Sequence, residues 1–234
     1  SVWRGTLRGW QFRSKDFARI LADASARALL IVLVVNVLVG AIIAFVGAVQ
    51  LLKFGAGIFV ADLVAIAISR EMAAVITAVV MCGRTGAAFA AELATMQANE
   101  EVDALSVLGL NAVDYLVLPR VLTLLFMMPL LYLFGCVGGL LGGFAVSSSL
   151  LDLAPIAYFD RTVAALTYTH LGLGFFKSMA FGLLVSLAAC FHGLHAPRNA
   201  AGVGMATTRA VVAGIVGVIA LDAVFAVCAD ALGI

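Results

Sequence analysis

Charged residues are scarce in this chain. Only 12% of its 234 residues are Asp, Glu, Lys or Arg, whereas 64% are hydrophobic. Soluble domains contain roughly 45 to 50% apolar residues, so the composition indicates an integral membrane protein. The formal net charge of +1 gives no electrostatic reason to expect a nucleic-acid partner, because neutralising phosphates requires an excess of basic side chains.

The long apolar runs lack the alternation of apolar and polar residues that barrel strands require. In lipid, only helices and closed barrels satisfy all of their backbone hydrogen bonds. We therefore predict an all-α membrane protein. It is expected to contain an N-terminal interfacial amphipathic helix, about five transmembrane helices and a cytoplasmic helix between two of them.

Cysteine is rare as well, and each cysteine stands alone in an apolar stretch. The four residues are Cys82, Cys136, Cys190 and Cys228. They lack the close spacing of metal sites and the framework of a small secreted protein. We interpret them as small membrane-buried hydrophobes, because isolated buried thiols are usually inert.

The first 27 residues combine basic side chains with aromatic and aliphatic ones at helical spacing. The basic residues are Arg4, Arg8, Arg13, Lys15, Arg19 and Arg27. This pattern is typical of a helix lying in the membrane surface, where Lys and Arg reach lipid phosphates. We predict an interfacial helix at 1–27 and a transmembrane domain at 28–234. The alternative, a solvated basic tail, would leave Trp3 and Trp10 in water.

Five apolar segments are long enough to cross a bilayer, which takes about 20 helical residues. They are predicted at about 28–50, 58–91, 121–147, 171–194 and 209–231. The second is too long for one ordinary span, and Arg70 and Glu71 interrupt it, so its helix is expected to be broken, tilted or continued into the cytoplasm. Residues 148–170 are predicted to form an outer loop and residues 195–208 a short loop.

The distribution of basic residues predicts the orientation. If the N-terminus, the 84–120 region and the 195–209 loop are cytoplasmic, ten of the fourteen Lys and Arg residues lie on that side. The positive-inside rule therefore places the N-terminus in the cytoplasm.

Charges that interrupt the apolar sequence concentrate between Arg70 and Arg120. An ionised side chain inside a bilayer is costly and typically marks a substrate path, a pairing site or a partner contact. Residues 92–118 have an apolar and an acidic side, and Gly109-Leu110-Asn111 has the composition of a helix stop. We predict a cytoplasmic surface helix or helix pair that contacts a soluble partner. The alternative is a solvated loop with a charged face.

Glycine is concentrated in the third predicted span. The residues are Gly135, Gly138, Gly139, Gly142 and Gly143. Their small-xxx-small spacing allows two helix backbones to approach closely. The pattern leaves open whether the neighbour is another span of the same chain or a second protomer.

Five segments, in order along most of the chain, carry recognisable motifs. They are Arg70-Glu71-Met72, Cys82 to Met96, Asn99 to Leu105, Leu116 to Arg120 and Ala206 to Val212. Together they resemble the MlaE/YrbE permease family. Two prolines common in that family are replaced here, at Ala73-Ala74 and at Ala112. Their loss puts in question a kink after Glu71 and a sharp turn before Ala112.

The resemblance implies a permease subunit of an ABC transporter. Such a transporter moves phospholipid or a related lipid between the inner membrane and a periplasmic MCE-domain protein, in support of outer-membrane lipid asymmetry. The implied partners are a second copy of the chain, cytoplasmic ABC ATPase subunits, the MCE-domain protein and, in some systems, a STAS-domain protein. The implied location is a bacterial inner membrane, with lipid bound in an outward-opening cavity between two permeases.

The resemblance also implies roles for individual residues. The substrate pathway is assigned to Arg70, Glu71 and Lys177. The ATPase-coupling region, about 84–118, is assigned Glu92, Glu100, Glu101, Asp103 and Leu105. Structural or coupling roles are assigned to Gly83, Arg84, Gly86, Pro119, Arg120, Arg209 and Asp222. The alternative for the first set is a purely structural ion pair, and Asp222 is expected to hydrogen-bond within the bundle.

Energy for transport is expected to come from another subunit. The chain contains no GxxxxGK[ST] loop, so we predict that it is not an enzyme, carries no cofactor, and relies on a partner ATPase to bind ATP and Mg. His192 and His195 have helical ligand spacing but no neighbouring Cys or carboxylate, and we predict no metal site. The rival functions are an ion-driven carrier, which should show internal repeats, and a lipid-modifying enzyme, which needs a catalytic cluster.

Overall fold

The computed structural model describes residues 14–150 and 155–233, with side chains from residue 28 onward except residue 150. Within those residues the chain is helical and contains no strand. The helices are α1 (Ser14–Leu52), α2 (Gly57–Ala98), α3 (Glu101–Val107), α4 (Val113–Ser149), α5 (Pro155–Ala165), α6 (Tyr168–Leu194) and α7 (Ala200–Ala231). This confirms the prediction of an all-α membrane protein.

Five of the described helices, α1, α2, α4, α6 and α7, are long and apolar enough to cross a membrane. Their number and order agree with the predicted spans, but two predicted loops were too long. The fifth helix begins at Ala200 rather than at about residue 209. Asn199 starts it, because its Oδ1 accepts a hydrogen bond from the Gly202 N–H at 2.7 Å and thereby satisfies a donor at the helix end. The predicted outer loop contains α5.

The N-terminal prediction is only partly covered by the described residues. Residues 1–13 of the predicted interfacial helix lie outside them, as do the side chains up to residue 27. From Ser14 the backbone forms one 39-residue helix that continues into the first span without a break. At about 1.5 Å per residue such a helix is about 60 Å long, roughly twice the hydrocarbon thickness of a bilayer. Its N-terminal part therefore extends beyond the hydrocarbon.

The second span is a single helix of 42 residues, which resolves the ambiguity of its length. It is interrupted by π-helical turns at Ile68–Met72 and Cys82–Gly86. In the first of these, the Ala73 N–H donates to the carbonyl of Ile68, five residues back. Such turns recur at functional sites in helices. The distortion beside Glu71 is thus produced without the proline that Ala73-Ala74 replaces.

The chain divides into two compact units. Unit 1 comprises the described residues up to Ala28, together with Ala78–Met128 and Met179–Val224. Unit 2 comprises Leu29–Thr77, Pro129–Ser178 and the described residues from Phe225 onward. The three segments of each unit are far apart in sequence, so contacts between helices rather than chain continuity hold each unit together.

In unit 2, two of the α4 glycines lie directly against α1. A Cβ on Gly142 would overlap the backbone carbonyl of Val37, and one on Gly138 would lie 3.1 Å from the Leu33 carbonyl oxygen. Real Cβ contacts are rarely this close. The absence of a side chain therefore lets the two helix backbones touch.

The opposite side of the same glycine run contacts α2. A Cβ on Gly139 would lie 2.8 Å from the Ile68 side chain, and one on Gly143 would lie 2.6 Å from that of Val64. These glycines are thus occupied by packing within one chain. Of the two alternatives left open by the sequence, the structure shows intramolecular packing at these positions.

Replacing Gly142 with Ala is expected to lower the free energy of unfolding by about 1–3 kcal/mol, the usual cost of overpacking. The added methyl must displace backbone rather than a flexible side chain. Thermal unfolding in detergent measures the effect. Gly172→Ala is the matched control, since a Cβ there meets nothing within 4 Å. Equal melting temperatures for the two variants would contradict the packing described.

Candidate functional site

Unit 2 brings together the three residues assigned to the substrate pathway. The Lys177 ammonium on α6 donates to Oε2 of Glu71 on α2. The Nε of Arg70 lies 3.6 Å from Oε1 of the same carboxylate. The Lys177 side chain is fully buried, whereas those of Arg70 and Glu71 are 24% and 25% exposed. The cluster therefore has one enclosed cation and one cation that reaches the surface of the chain.

The π-helical turn of α2 presents these charges and is held by Tyr132. The Tyr132 hydroxyl donates to the carbonyl oxygen of Ser69 at 2.6 Å, inside the turn. Tyr132 itself is fully buried. This hydrogen bond ties α4 to the π-helical turn of α2. The geometry of this π-helical turn sets the direction in which the Arg70 and Glu71 side chains point.

Gly174 lets α6 approach this turn. A Cβ at this position would overlap the Tyr132 hydroxyl and the Ser69 carbonyl. Lys177 follows three residues later and therefore lies on the same face of α6. The close approach at Gly174 brings the Lys177 side chain within reach of Glu71. Sequence analysis missed Tyr132 and Gly174, since nothing in the chain marks an aromatic residue or an isolated glycine as a neighbour of Arg70-Glu71.

A second polar contact in unit 2 was also missed. Asn36 on α1 is fully buried, and its Nδ2 donates to the Val32 carbonyl at 2.9 Å and to Thr77 Oγ1 at 3.4 Å. A Cβ on Gly135 would lie 3.0 Å from that Nδ2. Polar side chains that bond across membrane helices typically contribute about 0.6 kcal/mol each. An isolated Asn in an apolar run signals such a contact but does not identify its partner.

Helix α5 adds a third ion pair to unit 2. Arg161 Nη2 lies 3.3 Å from Asp62 Oδ2 on α2, and its guanidinium is 4.7 Å from the centre of the Phe59 ring. Burial raises the pKa of Tyr158, on the same helix, above its ordinary value. These contacts fix α5 against the start of α2.

In unit 1, α2 ends in a sharp turn that leads into α3. Glu100 has a left-handed backbone with φ of 61°, uncommon for a residue other than glycine. Gly109, with φ of 74°, follows the end of α3, and the Asn111 side chain accepts a hydrogen bond from the Val113 N–H at 3.0 Å. The predicted helix stop is therefore present. Asn111 and Gly109 make the turn without the proline that Ala112 replaces.

Glu92 and Arg120, assigned separately from the sequence, form a pair in unit 1. Arg120 Nη2 lies 3.0 Å from Glu92 Oε2, and Nη1 donates to the Leu116 carbonyl at 2.8 Å. The guanidinium also lies 5.6 Å from the centre of the Phe89 ring. Arg120 is 7% exposed. Glu92 thus braces the end of α2 against the start of α4.

The apolar side chains of α3 are divided between the interior of unit 1 and the surface. Leu105 is half-buried and packs onto the cluster of Leu93, Leu116 and Cys190. The exposed apolar side chains are instead Val107 and Leu108, at 88% and 73%. Helical periodicity turns Leu105 towards the unit and exposes the residues that follow. The region from Glu100 to Leu108 is called the α3 surface below.

Asp103 on the α3 surface is paired within the chain. Its Oδ2 lies 2.8 Å from Arg198 Nη2, in the loop between α6 and α7. Glu101 accepts a hydrogen bond from the Asn99 side chain at 3.2 Å. Sequence analysis assigned no role to Arg198, because 95 positions separate it from Asp103.

The remaining assigned residues lie in unit 1 at separate places. Gly86 packs 3.3 Å from Val185, whereas Gly83 is exposed and a Cβ there meets nothing within 4 Å. Arg84 and Asp222 are half-buried and interact with other groups, and Arg209 is exposed. Pro119 accepts a hydrogen bond from Thr123 at 2.8 Å.

The histidines and cysteines form no cluster in the described residues. His192 and His195 both pack on the Phe191 ring. No group of three His, Cys, Asp or Glu residues could hold a metal ion in that part of the chain. Three cysteines are buried as interpreted, but Cys228 is exposed on α7.

Comparison with known proteins identifies the family. The model of the MlaE permease family matches residues 17–228. The chain belongs to the MlaE permease family. Its relatives include a probable ABC transporter permease of Rickettsia conorii, 37% identical over 74% of this chain and 67% of the relative. The Synechocystis relative, with the same description, is 36% identical over 72% of this chain and 64% of its own.

A plant protein is related as well. The chloroplastic Arabidopsis thaliana protein Trigalactosyldiacylglycerol 1 is 36% identical over 73% of this chain and 49% of its own length. Membership of the MlaE family makes this chain a multi-pass ABC transporter permease, a transporter subunit rather than an enzyme. An ABC transporter permease implies an ATPase partner.

Breaking the Glu71–Lys177 pair of this MlaE-family permease is expected to destabilise it strongly. Glu71→Gln removes the carboxylate beside a fully buried ammonium, and losing one member of a buried pair typically costs about 3–5 kcal/mol. The double variant Glu71→Gln/Lys177→Met removes both charges and should recover most of that loss. Unfolding in detergent measures both. A double variant no more stable than the single one would contradict the pairing.

Proposed function

We propose that this chain is the membrane subunit of an ATP-driven transporter that moves phospholipid, or a related lipid, between the inner membrane and a periplasmic MCE-domain protein. Two copies would form the lipid cavity, and separate cytoplasmic ABC ATPase subunits would hydrolyse ATP, with a STAS-domain protein in some assemblies. The N-terminus would be cytoplasmic, as the positive-inside count indicates. Such lipid transport would support the lipid asymmetry of the outer membrane.

The observation that carries the proposal is the Arg70, Glu71 and Lys177 cluster in the spanning helices of a permease. Glu71 compensates the enclosed Lys177, and the Arg70 side chain remains about a quarter exposed. A guanidinium binds a phosphate through two parallel hydrogen bonds. Charge compensation by Lys177 lets Glu71 orient Arg70 without leaving an isolated anion in the membrane.

The name of the Arabidopsis thaliana relative supports a lipid substrate, because trigalactosyldiacylglycerol is a lipid. Its headgroup is a sugar rather than a phosphate. A phosphate ligand for Arg70 is therefore a specific part of the proposal. If Arg70 binds phosphate, its replacement should reduce phospholipid transport more than glycolipid transport, and one assay can compare the two.

Arg70→Gln is expected to reduce ATP-dependent transport of a fluorescent phospholipid about tenfold. That factor corresponds to about 1.4 kcal/mol, near the lower end for a hydrogen bond to a charged group. The assay uses the permease in proteoliposomes with its ATPase and acceptor protein. Lys53→Gln, which removes an exposed cation bonded to Gln50, is the control. Equal loss of galactolipid and phospholipid transport would contradict a phosphate-specific contact.

Leu108→Asp is expected to release the ATPase from the α3 surface. A charge placed on an apolar contact must be desolvated, which typically costs several kcal/mol, so association should weaken at least tenfold. Leu108→Met keeps an apolar side chain of similar volume and should retain the ATPase. Co-purification and the ATPase rate of the complex measure both. Retention of the ATPase by Leu108→Asp would remove the α3 surface from the proposal.

A further inference from the structure

The loop between α6 and α7 holds Arg198 on a well-defined backbone. The Asn199 N–H donates to the Pro197 carbonyl at 2.8 Å, and the Asn199 side chain bonds the Gly202 N–H. A Cβ on Gly202 would overlap the Pro197 carbonyl. Several contacts in consecutive residues therefore fix the backbone from which Arg198 projects.

The same loop is packed against two helices. Ala196 is 8% exposed and forms a small buried cluster with Ala94 of α2 and Ala206 of α7. Small side chains bring the backbones of these three segments close together. The loop is thus packed directly against α2 and the start of α7.

Arg198 connects this loop to the α3 surface. Its Nη2 lies 2.8 Å from Asp103 Oδ2, and both side chains are about half exposed, at 49% and 52%. An exposed ion pair contributes little to folding stability. The pair joins the α3 surface to the loop that leads into α7.

We propose that Arg198 is a positioning residue that couples movement of α3 to α7 through its ion pair with Asp103. This inference rests on the proposed function, in which an ATPase moves the α3 surface. The carboxylate of Asp103 would then pair with Arg198 of the same chain. The ATPase would bind the exposed side chains of Val107 and Leu108. Docking and transmission would use different side chains of one short helix.

The test is the number of lipid molecules moved per ATP hydrolysed, measured in proteoliposomes with the complete complex. Arg198→Asp is expected to lower this ratio at least threefold, while the melting temperature and the amount of bound ATPase stay unchanged. The exchanged pair Asp103→Arg/Arg198→Asp should restore at least half of the wild-type ratio. Lys53→Asp, the same reversal at an exposed site in the other unit, should leave the ratio unaltered.

An unchanged ratio for Arg198→Asp would overturn the inference, as would an exchanged pair no better than the single variant. Failure of the proposed function gives a different result. In that case the wild-type protein itself would bind no ATPase, or would move lipid without ATP. The wild-type complex is therefore measured first in the same vesicles.

Discussion

The buried Lys177 ammonium sets the main constraint on unit 2, because an unpaired cation in a membrane domain is expensive. Glu71 compensates it, and this requires α6 to lie close to α2 at one level. Gly174 provides the close approach, and Tyr132 donates a hydrogen bond to the Ser69 carbonyl within the π-helical turn. The charged cluster is therefore inseparable from small-residue packing around it, and a substitution in either affects both.

Unit 1 uses charge differently. Arg120 is buried and makes one ion pair and one backbone hydrogen bond, although its partner Glu92 is itself 58% exposed. Arg198 and Asp103 are half exposed, and water can replace either partner. One pair thus joins the ends of two helices, and the other joins α3 to the loop before α7.

Some residues of the candidate site could be identified from the sequence alone, and others could not. Arg70, Glu71 and Lys177 could be chosen as candidates, because charges in apolar segments are rare and the family motifs surround two of them, and the structure shows that the three lie in contact. Tyr132, Gly174 and Arg198 could not, since their importance lies in what they touch. Leu105 was assigned to ATPase coupling, and the structure adds that it is half-buried against unit 1, which the apolar pattern of the seven-residue α3 did not show.

The sequence by itself determined the all-α membrane class, five spans and the family, because each depends on composition, run length or motifs that are local along the chain. Tertiary structure alone decided that the α4 glycines contact α1 and α2, that Glu92 braces Arg120 and that Asp103 meets Arg198. These pairings join residues separated by tens of positions. They depend on how the helices pack, because hydrophobic periodicity gives each helix an apolar face but does not specify which helix lies against that face.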